Sequence, residues 1–189
     1  MAAPRLHEAG WVPQSCLALL VIATSGLTFW YACAAPFAAF AVFAAVALSE
    51  RDALRVVVAL WLANQAIGYL FLGYPRTANS FMWGLAIGGA AVASLLAAQW
   101  IAVALRSSPV IRPVAALGGA FAVYEGVIYV VAIGLGGSGS LAPAIVGRIL
   151  IANVVTLAAL LAVYRLGAAV GVDWRPVAAA SPPAQPASS

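Results

Sequence analysis

The sequence predicts an all-α, polytopic integral membrane protein, folded as a compact bundle of six transmembrane helices. Hydrophobic residues make up 65% of the chain, charged residues only 7%, and the mean hydropathy is +1.05. A soluble domain carries about a quarter charged residues, so this chain lacks the side chains to cover a water-exposed surface. We expect a membrane domain at 14–168, an interfacial lead-in at 1–13 and a disordered, Pro/Ala/Ser-rich cytoplasmic tail at 169–189.

Six apolar segments are spaced along the membrane domain. The last four lie at 52–73, 80–105, 113–136 and 141–167. Each of these has the roughly 20 residues that are needed to cross a bilayer. The apolar run before them is too long for one ordinary helix, and Pro36 disfavours helix at the residue that precedes it. We therefore divide this run into a helix at 16–32 and a shorter one at 34–49.

The placement of the arginines orients the predicted bundle. The chain has nine arginines and no lysine. With six helices, seven of the nine fall on one side, Arg76 falls on the other, and Arg148 lies inside the last segment. Positive residues favour the cytoplasmic side, so both termini are predicted to be cytoplasmic, in a bacterial-type inner membrane. If residues 16–49 formed a single span, six arginines would lie on one side and two on the other. The later helices would keep the same orientation.

One alternative concerns the N-terminus. Residues 17–29 could form the core of a cleaved signal peptide, with Ala32, Cys33 and Ala34 as a small-residue cleavage site. The bulky Trp30 and Tyr31 disfavour cleavage at this position. The orientation of the later helices is the same in both cases.

Two charged residues, Glu125 and Arg148, lie inside predicted membrane helices. An ionisable group in the bilayer is energetically costly and is a functional-site hypothesis by default. With the predicted helix directions, both residues lie in the outer half of the bilayer together with Asn64 and Gln65, within about 6 Å in depth. This convergence predicts an outward-facing polar pocket. The alternative is that Glu125 and Arg148 form a closed ion pair.

The predicted ligand-binding set adds aromatic and polar side chains at the same level. Its members are Asn64, Gln65, Tyr69, Ser80, Trp83, Glu125, Tyr129, Arg148 and Asn153. Arg148 would bind a carboxylate or phosphate of the solute, and the amides would donate hydrogen bonds. Residues 72–81 would form a lid. Tyr74, near a helix end, is expected in the headgroup layer.

Other residues predict structure or limit the chemistry. Gly84, Gly88 and Gly89 predict close helix packing. The one histidine, His7, precedes the first segment, so no histidine-ligated cofactor is expected in the membrane. A glycine-rich phosphate loop is absent from the sequence, so any use of ATP requires a separate subunit. We therefore expect neither a cofactor nor an enzyme, and the net charge of +4 is assigned to loop placement rather than to nucleic-acid binding.

The strings NQAIGY and YPRTANSFMWG, together with the chain size, the six-helix topology and the outer pocket, resemble the substrate-binding components of energy-coupling-factor vitamin transporters. They are also similar to the related solitary cobalamin transporters. The resemblance covers residues 16–167 and implies a coupling subunit and an ATPase as partners. A cysteine ligates cobalt in the cobalamin members, whereas YPRTANSFMWG offers Ser80 instead, and Cys33 lies on another connection. Cys33 is therefore the candidate metal ligand that this resemblance supplies.

Three functions follow as expectations. The first is a small transporter or transporter subunit that takes up a polar or amphipathic solute, such as a vitamin like cobalamin, from the outer side. A proton-coupled form would use Glu125 as its titrating group. The second is an accessory subunit of a larger membrane complex, with Glu125 and Arg148 as an internal ion pair. The third is an integral-membrane enzyme that acts on a lipid-like substrate.

Overall fold

A computed structural model describes residues 35–105, 111–137 and 142–169, which form helices and contain no strand. The five helices are α1 Phe37–Ala47, α2 Glu50–Leu70, α3 Ala78–Ala104, α4 Ile111–Leu135 and α5 Pro143–Ala169. They confirm the all-α prediction. Their bounds lie within a few residues of the last five predicted segments, from the one at 34–49 to the one at 141–167. The predicted helix at 16–32, Cys33, the lead-in at 1–13 and residues 170–189 lie outside the described residues.

Four of the helices, α2 to α5, are long and apolar enough to cross a membrane, with mean hydropathies from 1.4 to 2.2. The chain is therefore a multi-pass membrane protein. Helix α2 begins at Glu50, two residues earlier than predicted, because Ser49 caps it. The Ser49 hydroxyl accepts the Asp52 N–H at 3.3 Å and donates to the Asp52 carboxylate at 2.7 Å. Such a cap satisfies an N–H group that has no partner within the helix.

Helix α1 is the short central element around which the others pack. Its 11 residues extend about 16 Å, roughly half the hydrocarbon thickness of a bilayer. Residues 37–44 are all buried, none more than 4% exposed. A helix that is apolar on every side requires burial on every side, and α1 contacts each of the four long helices. The segment predicted at 34–49 is thus a core helix in this bundle and is too short to span by itself.

The N-terminus of α1 is capped by a side chain from the other end of the chain. The Asn153 Oδ1 atom, on α5, accepts the backbone N–H of Ala39 at 2.8 Å. The Asn153 Nδ2 atom donates to the Ile149 carbonyl at 2.8 Å. The first N–H groups of a helix have no partner within the helix, and an unsatisfied one is costly where water is excluded. Asn153, which is 1% exposed, therefore fastens α5 to the start of α1.

Helices α2 and α3 cross closely at two glycines. Trp61 Nε1 donates to the Gly84 carbonyl at 2.8 Å, and a Cβ on Gly88 would lie 2.6 Å from Trp61 Cε2. A Cβ on Gly84 would lie 2.6 Å from Gln65 Oε1. The packing prediction is confirmed for Gly84 and Gly88. Gly89 is exposed, and a Cβ there would meet no atom of the described residues within 4 Å, so the described helices do not pack closely at this glycine.

The ends of the helices define two ends of the bundle. The start of α2, the end of α3 and the start of α4 line a common cavity, and the end of α5 lines a second cavity with the start of α4. We call this the arginine end, since four arginines of the described chain lie there: Arg51, Arg55, Arg112 and Arg165. The α2–α3 connection and the end of α4 lie at the opposite end. Helices α3 and α4 share the most extensive interface, whereas α4 and α5 touch at few positions.

Candidate functional site

A cavity of about 160 Å³ lies at the opposite end, between the last turns of α2 and the first turns of α3. We call it the amide cavity. Its lining includes five of the nine predicted ligand-binding residues: Asn64, Gln65, Tyr69, Ser80 and Trp83. Residues of α2 and α3 therefore line one cavity. Their similar predicted depth in the membrane is consistent with this arrangement.

The polar groups of the amide cavity are uncharged and bond to one another. Gln65 Nε2 donates to Asn64 Oδ1 at 3.3 Å, and the Tyr69 and Ser80 hydroxyls are 3.1 Å apart. Asn64 is 1% exposed. Because these groups bond to one another, most of the surface that faces the cavity is apolar. Amides and hydroxyls can each donate and accept, so a solute would form hydrogen bonds here by replacing one of the internal bonds.

Aromatic rings form the rest of the wall. Tyr69 stacks on Phe81 with ring centroids 5.0 Å apart and meets Tyr74 edge-on at 5.9 Å. Offset-stacked and edge-to-face arrangements of this kind are the favourable ones for aromatic pairs. The site therefore combines a rigid aromatic surface with a small number of hydrogen-bonding groups, the usual composition of a small-molecule site.

Tyr74 and Pro75 also line the cavity; the sequence predicted them as part of the lid at 72–81 but not as ligand-binding residues. Tyr74 was expected in the headgroup layer, but its ring packs against Gly68 so closely that a Cβ there would clash. Gly73, with φ +66°, permits the turn. The Tyr74 N–H then donates a hydrogen bond to the Gly68 carbonyl at 3.0 Å. The Gly-Tyr-Pro turn shortly after Gly68 was the signal that could have indicated this fold-back.

Trp83 connects the cavity to the α4–α5 connection. It lines the cavity and is half-buried. Gly137, just after α4, approaches it so closely that a Cβ would lie 2.9 Å from Trp83 Cζ2. Gly137 has φ +132°, a conformation that side chains rarely adopt. The backbone after α4 therefore rests on one wall of the amide cavity.

Glu125 does not lie in the amide cavity. Gly119 marks the side of α4 that packs on α3, because a Cβ there would clash with Ile101. Glu125 is six residues further on, which places it about 120° around the helix from Gly119. It is half-buried, and its Oε1 atom is buried with no hydrogen-bond partner. The predicted convergence of Glu125 with Asn64 and Gln65 is therefore not formed in the structure.

The remaining predicted residues also lie away from the cavity. Arg148 is exposed near the start of α5, and Tyr129 is 55% exposed. Asn153 caps α1, and both of its amide atoms are used there. Within residues 35–105, 111–137 and 142–169, the structure has one ion pair, Asp52 with Arg55 at 3.0 Å, so the expected pair between Glu125 and Arg148 is not formed there.

In the part of the chain that the structure describes, no three His, Cys, Asp or Glu residues lie close enough together to hold a metal ion. The candidate ligand Cys33 lies outside that part. No protein-family model, no curated protein and no solved structure matches the chain. The function must therefore be argued from the geometry of this chain alone.

Proposed function

We propose that this protein is a small membrane transporter, or the substrate-binding subunit of one, that takes up a small uncharged polar solute. The amide cavity carries the proposal. It lies at one end of a bundle of apolar helices, and its lining includes two amide side chains, three hydroxyl-bearing side chains and stacked aromatic rings. Charged side chains are absent from its described lining, which favours a neutral solute over an ion.

The volume of the cavity sets the size of the solute. The amide cavity has a volume of about 160 Å³. Sites for drug-sized ligands are larger, at about 300–1,000 Å³. We therefore favour a small planar solute, such as a nitrogen heterocycle with an amide or hydroxyl group, over a molecule as large as cobalamin.

Each lining residue has a role in this proposal. Asn64 and Gln65 exchange hydrogen bonds with the polar edge of the solute, and Ser80 holds the hydroxyl of Tyr69 in position. Tyr69 and Trp83 provide the surface on which a planar solute stacks. Arg148 and Glu125, which lie elsewhere, have no role in solute binding here, in contrast to the expectation from the sequence.

The arginine distribution supports the orientation that uptake requires. Four arginines lie at the arginine end, and two, Arg76 and Arg148, lie at the opposite end of the described chain. By the positive-inside rule, the arginine end, where α2 begins and α5 ends, is cytoplasmic, and the amide cavity opens outward in a bacterial-type inner membrane. The connection at 71–77 then covers the cavity on the outer side through Tyr74 and Pro75. A coupling subunit with an ATPase would bind at the cytoplasmic side.

Thermal stabilisation by matched solutes tests the proposal. The purified full chain in detergent is titrated with nicotinamide and uracil, which are planar and neutral, and with nicotinate, which has nearly the shape of nicotinamide but carries a charge. We expect the neutral solutes to raise the melting temperature and nicotinate to have little effect. Gln65→Ala should weaken binding about threefold to tenfold, the effect of one hydrogen bond.

Gln99→Ala is the matched control, because it removes the same amide from the arginine end. It should leave solute binding unchanged. Uptake of the labelled solute into proteoliposomes then separates a transporter from a binding protein. Equal binding of nicotinamide and nicotinate, or equal losses in both glutamine variants, would contradict the proposal.

A second candidate function, an accessory subunit of a larger membrane complex, is favoured by Glu125. Its Oε1 atom is buried and has no hydrogen-bond partner, and a polar atom in this state is costly where water is excluded. Because the chain itself already covers this atom, a neighbouring subunit would bond to the part of the Glu125 side chain that is still exposed. Co-purification of partners with the native chain but not with Glu125→Ala, without any change in solute binding, would favour this second function.

A further inference from the structure

A second site lies at the arginine end, at the far side of the bundle from the amide cavity. It is a cavity of about 200 Å³ between the last turns of α1, the start of α4 and the last turns of α5. Arg112 and Arg165 line it together, and Phe43, Val46 and Leu161 provide an apolar wall. We call this cavity the arginine cleft.

The charges of the arginine cleft are not neutralised by the described chain. The Nε atom of Arg112 is buried and has no hydrogen-bond partner. No carboxylate is among the described residues that line the cleft, and Asp52 is already paired with Arg55. A guanidinium has five N–H donors and no acceptor. Arg112 is half-buried and has no ion-pair partner among the described residues, so an acidic ligand in the cleft would stabilise its charge.

The space around Arg112 continues beyond the cleft. A larger cavity of about 440 Å³ lies on its other side and shares Arg112 and Val46 with the arginine cleft. Glu50, which also lines this larger cavity, is exposed and is not within ion-pair distance of Arg112. The two spaces together can hold a ligand with a charged head and an apolar extension.

We propose that the arginine cleft binds the phosphate group of an anionic phospholipid. Arg112 and Arg165 bind the phosphate through their planar guanidinium groups, which match its geometry. The first part of an acyl chain packs on Phe43 and Leu161. The cleft lies at the ends of membrane-crossing helices, where headgroups are located, and basic pockets between helices on the cytoplasmic side bind acidic headgroups. This site goes beyond the proposed solute uptake and does not depend on it.

The test uses the full chain, delipidated in a neutral detergent. Dioctanoyl-phosphatidylglycerol, dioctanoyl-phosphatidylcholine and inorganic phosphate are added separately, and bound lipid is counted by native mass spectrometry. We expect phosphatidylglycerol to bind better than phosphatidylcholine. Arg112→Ala and Arg165→Ala should each weaken phosphatidylglycerol binding at least about fivefold, the effect of roughly 1 kcal/mol for one basic residue at an anionic membrane.

Arg51→Ala is the matched control, since it removes the same charge from the same end of the bundle but outside the cleft. It should leave binding within about twofold of the native value. Arg165 is exposed, so Arg165→Ala remains informative even if Arg112→Ala does not fold. The proposal is overturned if both lipids bind equally, if Arg51→Ala weakens binding as much as Arg165→Ala, or if inorganic phosphate alone competes fully with phosphatidylglycerol at equal concentration.

Discussion

The amide cavity and the arginine cleft lie at opposite ends of one apolar bundle and enclose different kinds of polar group. In the amide cavity, Gln65 bonds to Asn64 and Tyr69 bonds to Ser80. In the arginine cleft, the Nε atom of Arg112 has no partner among the described residues. The first site is complete without a ligand, and the second carries uncompensated charge.

This difference indicates what each site can bind. A neutral network that already satisfies its own groups can exchange its hydrogen bonds with a solute at little net cost, so binding and release are both feasible. Charge that is partly withdrawn from water without a partner is more costly, so a ligand that neutralises it would be held more firmly. The proposed solute site and the proposed lipid site would therefore differ in how readily they release a ligand.

The largest expected effect comes from breaking the close contact between α2 and α3 next to the amide cavity. Gly88→Val places a side chain where a Cβ alone would lie 2.6 Å from Trp61 Cε2, so we expect a loss of about 3 kcal/mol in the free energy of unfolding. Equilibrium unfolding in mixed detergent measures it. Gly89→Val, one residue later with open space around it, should change stability by less than about 1 kcal/mol. Similar losses in the two variants would show that α2 and α3 are not packed at Gly88.

The second effect concerns the central helix α1, which lines the arginine cleft but not the amide cavity. Asn153→Ala removes the acceptor for the Ala39 N–H and should destabilise the protein by about 1–3 kcal/mol. Asn79→Ala, at an exposed asparagine, should have an effect below about 0.5 kcal/mol. Since Phe43 and Val46 of α1 form part of the arginine cleft, phosphatidylglycerol binding should weaken more than nicotinamide binding. The reverse order would contradict this role of Asn153.

A smaller effect is expected at the hydrogen bond between Tyr69 and Ser80 in the amide cavity. The Tyr69 and Ser80 hydroxyls are 3.1 Å apart, so Tyr69→Phe and Ser80→Ala should be coupled. We expect a coupling free energy of about 0.5–1.5 kcal/mol in a double-mutant cycle. Addition of nicotinamide should reduce the coupling if the solute takes over one of these hydrogen bonds. Strict additivity without solute would indicate that the two hydroxyls do not bond.

The smallest effect is expected for the two charges that the sequence places within apolar segments. Arg148 is exposed and forms no ion pair with Glu125. Glu125→Gln and Arg148→Ala should therefore be additive in unfolding free energy to within about 0.5 kcal/mol. A coupling free energy above about 1 kcal/mol would instead support the ion pair between Glu125 and Arg148, the alternative considered from the sequence.

Local hydropathy predicted most of the fold. The helices from α2 to α5 lie close to the predicted segments because the length and the apolar character of a span are properties of the segment itself. Pro36 likewise defined the start of α1 at Phe37, since it disfavours helix at the residue before it. The face that joins Trp61, Gln65 and Tyr69 was also predictable, because polar and aromatic residues at helical spacing mark one side of α2.

The rotation of each helix was not predictable from the same pattern. In a bilayer, the lipid-facing and the core-facing sides of a helix are both apolar, so hydropathy does not define which side packs inward. Glu125 and Arg148 share a similar predicted depth with Asn64, but the rotation of α4 turns Glu125 about 120° away from α3. Depth follows from the sequence, whereas direction depends on the neighbouring helix.

The sequence by itself determined that this is a multi-pass helical membrane protein, where its long helices lie and which polar residues they carry. The tertiary structure alone decided that α1 is the buried centre of the bundle, that Asn153 caps it and that Arg112 and Arg165 share one cleft. These features join residues such as Ala39 and Asn153, which are 114 positions apart. Contacts of that range depend on how helix faces meet in three dimensions, and a segment-by-segment pattern does not contain that information.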